Sequence, residues 1–224
     1  LELSKKESDY LLYEEPMGTV SGVQTQIPVL LSEYQFQSKE DVDAYLELMK
    51  TTPDYFNSLI AFEQEKAQKG LFMASYTADT VIEQCQAFID MGDSNYLIST
   101  FVDRIQKLTD LSESEKSDYI QKNAYMLQTY VLPAYQQLIK TVVELKDSGK
   151  NEEGLCYLPN GKEYYELTVQ ASTGSARTVP QLQKLTKNQM KDDLAAMKAV
   201  IGLTAEQAKE TAVMESTDPK EILN

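Results

Sequence analysis

From residue 38 onward, apolar residues recur at steps of three and four, with polar residues between them. This is the period of an α-helix that packs one face against a core. The clearest run follows Ser112 and Glu115, whose spacing is typical of a capping box, and it continues to Gly149. It predicts a central helix over about residues 113–147, kinked near Pro133, because proline removes a backbone hydrogen bond. Its apolar stripe, predicted to be buried against at least two other helices, is Ile120, Ala124, Leu127, Val131, Ala134, Leu138, Val142 and Leu145.

Shorter helices are predicted on both sides of the central one. Ser38 and Asp41 have capping-box spacing before a helix that runs to about Lys50. Cys85 lies on the apolar stripe of a later helix, which predicts a buried small side chain, and a disulfide with Cys156 stays open. A helix near the C-terminus is predicted to turn four apolar residues inward: Met190, Leu194, Met197 and Ile201.

The first 37 residues lack helical periodicity and mix Val, Thr, Gly and Pro, which favours an extended arm or a short hairpin. Residues 38–149 are predicted to form a helical domain, and residues 150–224 a helical continuation. The predicted fold is all-α, an irregular helical array around one long kinked helix. Asp218 and Pro219 have the spacing of a helix start, so we expect the sequence to be truncated within a larger protein.

Charge and composition narrow the possible partners. Thirty-five acidic residues against 21 basic ones give a net charge of −14. This charge argues against nucleic acid, whose phosphates attract clustered lysine and arginine, and against anionic lipid. No apolar run is long enough to suggest a transmembrane helix. The sequence begins with Leu1, so we expect that an N-terminal segment has been removed.

The sequence contains no histidine. This excludes a Ser-His-Asp triad, a Cys-His pair and a H-E-x-x-H zinc site within the chain. No serine has the S-x-x-K spacing of a Ser-Lys nucleophile, and no D-x-D-x-D-G calcium loop is present. We therefore assign no catalytic, cofactor-binding or metal-binding residue in this chain.

The candidate site residues lie in the stretch LPNGKEYYELTVQASTGSARTVPQLQKL, residues 158–185. Tyr164 and Tyr165 either present a phenol to a substrate or serve packing and surface roles. Arg177, after the STGS cluster, either helps to hold an anion or belongs to a plain connection between two helices.

Two groups of charged residues are interpreted as solvated helix faces. The first is Glu63, Glu65 and Lys66, and the second is Lys116 and Asp118.

Two stretches resemble bacterial domain-of-unknown-function family 885. They are PVLLSEYQFQSKEDVDAYLELMKTTPDYFNSLIAFEQEKAQKGLFM and LPNGKEYYELTVQASTGS, and the likeness covers about residues 28–203. The most specific element is P-x-G-x-x-Y-Y, formed here by Pro159, Gly161, Tyr164 and Tyr165. The family is regarded as similar to zinc-dependent peptidases because its members carry a H-E-x-x-P-G-H motif on a helix. No residue here can take the role of those histidines or of the general-base glutamate.

The resemblance implies the N-terminal and middle portion of an exported or lipid-anchored zinc-dependent peptidase at the bacterial cell envelope. This chain would form a wall of the substrate cleft and would be inactive alone, with zinc present only in the full-length protein. Its partners would be the missing C-terminal part and a peptide substrate. The alternative is a non-enzymatic helical module that binds a partner or a solute at the envelope.

Overall fold

The regular elements of the described chain are helical. The computed structural model describes Lys6, residues 8–149 and residues 153–201, and within these ranges it contains no β-strand, which confirms the predicted all-α fold. The chain divides into two compact units, Leu1–Tyr165 and Glu166–Asn224. The α-helices are α1 (Val23–Glu33), α2 (Lys39–Lys50), α3 (Thr52–Gln68), α4 (Ser75–Asp90), α5 (Tyr96–Ile105), α6 (Glu113–Met126), α7 (Leu132–Leu145), α8 (Gly161–Thr173) and α9 (Val179–Ile201). Short 3₁₀ turns occur at Leu11–Tyr13, Gly92–Ser94, Lys146–Ser148 and Leu155–Tyr157.

The predicted long central helix is confirmed. Helices α6 and α7 are joined by a π-helical turn, Leu127–Val131, without an intervening loop. Pro133 lies in the first turn of α7 and has no backbone N–H to donate. The irregularity expected at the proline therefore takes the form of a π turn immediately before it. The capping box of Ser112 and Glu115 at the start of α6 is also present.

The predicted apolar stripe is buried along the second half of this helix. Leu127, Val131, Leu138 and Val142 are all buried, and α7 packs against α3 and α4. These helices and α1, α2 and α5 surround one hydrophobic core in the first unit.

In the first half of the central helix, the prediction of the buried face was wrong. Lys116, Tyr119 and Asn123 are buried there, whereas Ile120 is only partly buried. Each of these side chains makes at least one hydrogen bond: the Lys116 ammonium donates to Glu113, the Tyr119 hydroxyl to Asp43, and Asn123 Nδ2 to the Leu97 carbonyl, although Asn123 Oδ1 has no partner among the described residues. Hydrogen bonds offset the cost of burying these groups, so polarity alone does not reveal that they are inside.

The prediction of an extended arm or hairpin at the N-terminus was also wrong, because residues 23–33 form helix α1. Tertiary contacts support this helix despite its Pro28 and its β-branched residues. The buried Gln24 amide donates to the Gly18 carbonyl at 2.9 Å and to Gln84 Oε1 at 2.8 Å. At the other end, the Arg104 guanidinium donates to the carbonyls of Leu31 and Tyr34.

In the second unit, the predicted inward face of α9 is exposed. Met190, Leu194 and Met197 are at least half exposed, and the side chain of Ile201 lies outside the described residues. The periodic pattern correctly gives an amphipathic helix. It was wrong about burial, because an apolar face does not specify whether another element covers it.

Candidate functional site

A cavity of about 510 Å³ opens on the first unit. Its walls come from three places: the segment before α1, the link between α3 and α4 with the first turn of α4, and the connection that leads into α8. A volume of several hundred Å³ is enough for a small molecule or for one or two peptide residues. The lining residues are Tyr13, Glu15, Met17, Gly18, Thr19, Phe72, Met73, Ala74, Tyr76, Thr77, Gly154, Leu155, Leu158 and Tyr164.

The P-x-G-x-x-Y-Y element builds one wall of this cavity. The Pro159 carbonyl accepts a hydrogen bond from the Tyr13 hydroxyl, which ties the turn to the N-terminal segment. Asn160 has φ of +51°, a left-handed conformation that asparagine tolerates better than most residues. A Cβ on Gly161 would lie 1.8 Å from the Leu155 carbonyl oxygen, so only glycine fits this close approach. The Tyr164 N–H then donates to the Asn160 carbonyl at 3.0 Å, which starts α8.

Tyr164 belongs to a cluster of three tyrosine rings. Its ring centroid lies 5.1 Å from that of Tyr13 and 5.5 Å from that of Tyr10, and the Tyr10 and Tyr13 centroids are 5.3 Å apart. These separations are typical of favourable aromatic contacts. Tyr164 lines the cavity, whereas Tyr165 is 49% exposed on the next position of the helix. Burial, with smaller contributions from Tyr10 and Glu163, raises the pKa of Tyr13, so its phenol stays protonated near neutral pH.

A charged cluster lies beside the cavity, formed by the buried Glu63 and Lys66 of α3 and by Glu15, which is partly exposed and belongs to the segment before α1. The Lys66 side chain is 0% exposed, and its Nζ lies 3.0 Å from Glu15 Oε2 and 3.7 Å from Glu63 Oε2. It also donates to the Glu14 carbonyl at 2.7 Å. Glu63 is 1% exposed, and neither of its carboxylate oxygens has a hydrogen-bond partner among the described residues. The prediction of a solvated face was therefore wrong for Glu63 and Lys66, although Glu65 is exposed and pairs with Lys69.

Burial changes the ionisation of this cluster. Desolvation raises the pKa of Glu63 to about 7, although the charge of Lys66 acts in the opposite direction. Desolvation also raises the pKa of Glu15, and Lys66 again opposes the change. Two carboxyl groups therefore lie beside one buried ammonium group, and the raised pKa of Glu63 leaves its carboxyl group partly protonated near neutral pH.

Comparison with known proteins identifies a family for this sequence. The sequence matches the family of bacterial proteins of unknown function DUF885 over residues 1–224. This chain belongs to DUF885. The crystal structure named "putative lipoprotein" from Colwellia psychrerythraea is similar, with a TM-score of 0.76 and 16% identity. The alignment covers 83% of this chain and 32% of that protein, so the chain spans about a third of its length. No curated protein matches the sequence.

The described residues of this DUF885 chain do not form a metal site. Across residues 8–149 and 153–201, no cluster of three or more His, Cys, Asp or Glu side chains could hold a metal ion. Cys85 is buried, as predicted, Cys156 is exposed, and the two are not bonded to each other. Zinc therefore does not fit this part of the fold, because structural and catalytic zinc sites need three or four converging ligands.

Within the same ranges, no helix is both long and apolar enough to span a bilayer.

The three predicted site residues are divided between the two units. Tyr164 and Tyr165 belong to the first unit, and of the two only Tyr164 lines the cavity. Arg177 belongs to the second unit, in the link between α8 and α9, where its guanidinium lies 3.4 Å from Ser175 Oγ. Its role in binding remains a prediction.

The sequence analysis missed Tyr13, Glu15, Glu63 and Lys66. For Glu63 a signal was present: it continues the helical spacing of the buried residues Phe56, Leu59 and Ile60. A carboxylate at an apolar position of a helix is a candidate for a buried, functional charge.

Proposed function

We propose that this chain forms one wall of the substrate-binding cleft of a larger exported peptidase, and that the cavity beside Tyr164 binds part of a peptide. This proposal rests mainly on the position of Tyr164. The turn at Asn160 and Gly161 starts α8 so that this tyrosine of the P-x-G-x-x-Y-Y element reaches the cavity. Membership of DUF885 and the 32% coverage of the Colwellia psychrerythraea protein support a larger whole.

The cavity wall has groups suited to a peptide. Thr19 and Thr77 supply side-chain hydroxyls, and Phe72, Met73 and Leu155 supply apolar surface. A peptide presents both carbonyl and N–H groups along its backbone, so hydroxyls are useful because they can donate and accept. The Tyr13 hydroxyl already donates to the Pro159 carbonyl, which leaves its oxygen as an acceptor for a peptide N–H.

Hydrolysis would require residues outside this chain. The resemblance to zinc-dependent peptidases implies a metal centre, but the described residues do not fit zinc and the sequence has no histidine. In this proposal the chain binds and orients the peptide, and it has no peptidase activity alone. Export to the cell envelope is part of the same proposal, supported by the name of the Colwellia psychrerythraea protein.

The alternative is a binding module without catalysis, and one observation favours it. The described residues that line the cavity all belong to the first unit and lie between Tyr13 and Tyr164. In this alternative, the residues of this unit suffice for binding. In this alternative, the 224-residue chain binds its ligand alone and the larger protein hydrolyses nothing.

The full-length protein distinguishes these functions. It should cleave a mixed peptide library, and a zinc chelator should abolish cleavage, whereas the 224-residue chain should cleave nothing. In the full-length protein, Tyr164→Phe should fold normally and lose turnover, by about 10²–10³ if the phenol donates to the developing oxyanion. Tyr165→Phe is the matched control and should keep both stability and turnover.

Absence of zinc-dependent cleavage by the full-length protein would refute the peptidase function. Normal turnover of both tyrosine variants would instead refute the role of Tyr164 in the cleft.

A further inference from the structure

The charge around the cavity is one-sided. Among the described residues that line it, Glu15 is the only charged one. Lys66, the cation paired with Glu15, is completely buried and also donates to the Glu14 carbonyl. Lys66 Nζ also lies 3.7 Å from Glu63 Oε2. A ligand in the cavity therefore meets the carboxyl group of Glu15 and no accessible cationic group in the described lining.

Glu15 can offer an oxygen to such a ligand. Its side chain is 45% exposed, and the ion pair with Lys66 joins Nζ to Oε2 at 3.0 Å. An ionised carboxylate has about four lone-pair sites, so one partner does not saturate it. A donor that enters from the cavity would form a charge-assisted hydrogen bond with Glu15, which is stronger than a bond between neutral groups.

Aromatic rings lie on the same wall. Tyr13 and Tyr164 both line the cavity, with ring centroids 5.1 Å apart. Ring faces attract cations within about 6 Å through their quadrupoles, and the attraction increases when the cation loses its water. Tyr13 is two residues from Glu15, so the ring and the carboxylate reach the cavity from the same short segment.

We propose that this cavity binds a protonated primary amine of a peptide, with Glu15 as its counter-ion and the rings of Tyr13 and Tyr164 beside it. The inference rests on the proposed function in that the ligand is a peptide. The amine belongs either to a lysine side chain or to a free amino terminus, because both present the same ammonium group. A carboxylate or phosphate ligand is disfavoured, since it would meet Glu15 without a compensating cation in the described lining.

The test compares three peptide amides that differ in charge position, titrated into the 224-residue chain by calorimetry. The first is N-acetyl-Gly-Lys-Gly amide, with only the side-chain ammonium. The second is N-acetyl-Gly-norleucine-Gly amide, which has the same aliphatic chain without charge. The third is Gly-norleucine-Gly amide with a free amino terminus. At least one charged peptide should bind about tenfold more tightly than the neutral one, and the better of the two identifies the source of the amine.

Substitutions at the site give a second comparison. Glu15→Gln should weaken binding of the preferred charged peptide about tenfold and leave the norleucine peptide unchanged. Glu14→Gln is the matched control: the side chain is adjacent and acidic but does not line the cavity, so binding should not change. Because Glu15→Gln also removes a partner of Lys66, salt dependence of the unaltered chain gives an independent measurement. Raising ionic strength from about 0.05 M to 0.5 M should weaken only the charged peptide.

Three results would each overturn the inference: equal binding of charged and neutral peptides, binding of none of the three peptides, or binding of the charged peptide that does not depend on salt. The outcome is separable from that of the proposed function. If the full-length protein hydrolyses peptides but the charged and neutral peptides bind this chain equally, only the amine site is refuted. If charged peptides bind selectively but the full-length protein cleaves nothing, only the peptidase function is refuted.

Discussion

Replacement of Glu63 by glutamine tests the buried charge cluster directly. Glu63 is 1% exposed, lies 3.7 Å from Lys66 Nζ and has no hydrogen-bond partner for its oxygens in the described chain. Glutamine has nearly the same shape and carries no charge. Lys66 would keep Glu15 at 3.0 Å and the Glu14 carbonyl at 2.7 Å, so the substitution does not leave it without a partner.

The pH dependence follows from the raised pKa. Desolvation moves the pKa of Glu63 from 4.5 to about 7 in the folded state, so the folded protein retains a proton that the unfolded chain has released. Stability associated with this proton is fully present below pH 4.5 and is lost as the pH rises through about 7. At about 1.36 kcal/mol per pKa unit, this change corresponds to a loss of about 3 kcal/mol.

The assay is urea unfolding of the unaltered protein and the Glu63→Gln variant at pH 5 and pH 8. Relative to the unaltered protein, the variant should gain about 2.5 kcal/mol in its free energy of unfolding between pH 5 and pH 8, slightly less than the full change because the unfolded carboxyl group still binds some proton at pH 5. Glu65→Gln is the matched control, because it removes the same charge from an exposed position on the same helix. Its stability should follow that of the unaltered protein, since exposed ion pairs contribute little.

A constant difference between Glu63→Gln and the unaltered protein at both pH values would refute this reasoning. It would mean that Glu63 titrates equally in the folded and unfolded states. If Glu65→Gln changes the pH dependence of the free energy of unfolding as much as Glu63→Gln does, the cause is the lost net charge and not the burial of Glu63.

Two further predictions concern the core and the turn. Leu138→Ala should lower the free energy of unfolding by about 2 to 5 kcal/mol, because it opens a cavity at a fully buried position. Val143→Ala, at an exposed position, should change the free energy of unfolding by less than about 0.5 kcal/mol. Equal effects of the two substitutions in urea unfolding would contradict the buried face of the helix. Gly161→Ala should lower the free energy of unfolding by about 1 to 3 kcal/mol or more, because a Cβ would lie 1.8 Å from the Leu155 carbonyl oxygen. Gly18→Ala, with its nearest contact at 4.0 Å, should have a smaller effect, and a neutral Gly161→Ala would contradict the close approach.

Local features of the fold were predictable because they depend on neighbours in sequence. The capping boxes at Ser38 and Ser112 involve side chains three residues away, and both are present. The buried stripe from Leu127 to Val142 follows from the 3.6-residue period of the helix. Tyr164 could be singled out as a candidate because it belongs to a recognisable sequence element.

The tertiary structure decided what these local features contact. Tyr13 reaches the Pro159 carbonyl across 146 residues of sequence, and no local pattern specifies that pairing. Glu63 and Lys66 were predicted to be solvated, yet folding places the N-terminal segment over them and buries them together. Met190 shows the opposite case, an apolar residue that remains exposed.

The sequence by itself therefore determined the capping boxes at Ser38 and Ser112 and the long central helix with the apolar face of its second half, since these depend on interactions within a few residues. The tertiary structure decided which faces are covered and which charges are desolvated. Burial depends on elements that are distant in sequence, and the pKa of a carboxyl group depends on that burial. The cavity too was decided by the tertiary structure, because its walls come from three separated parts of the chain.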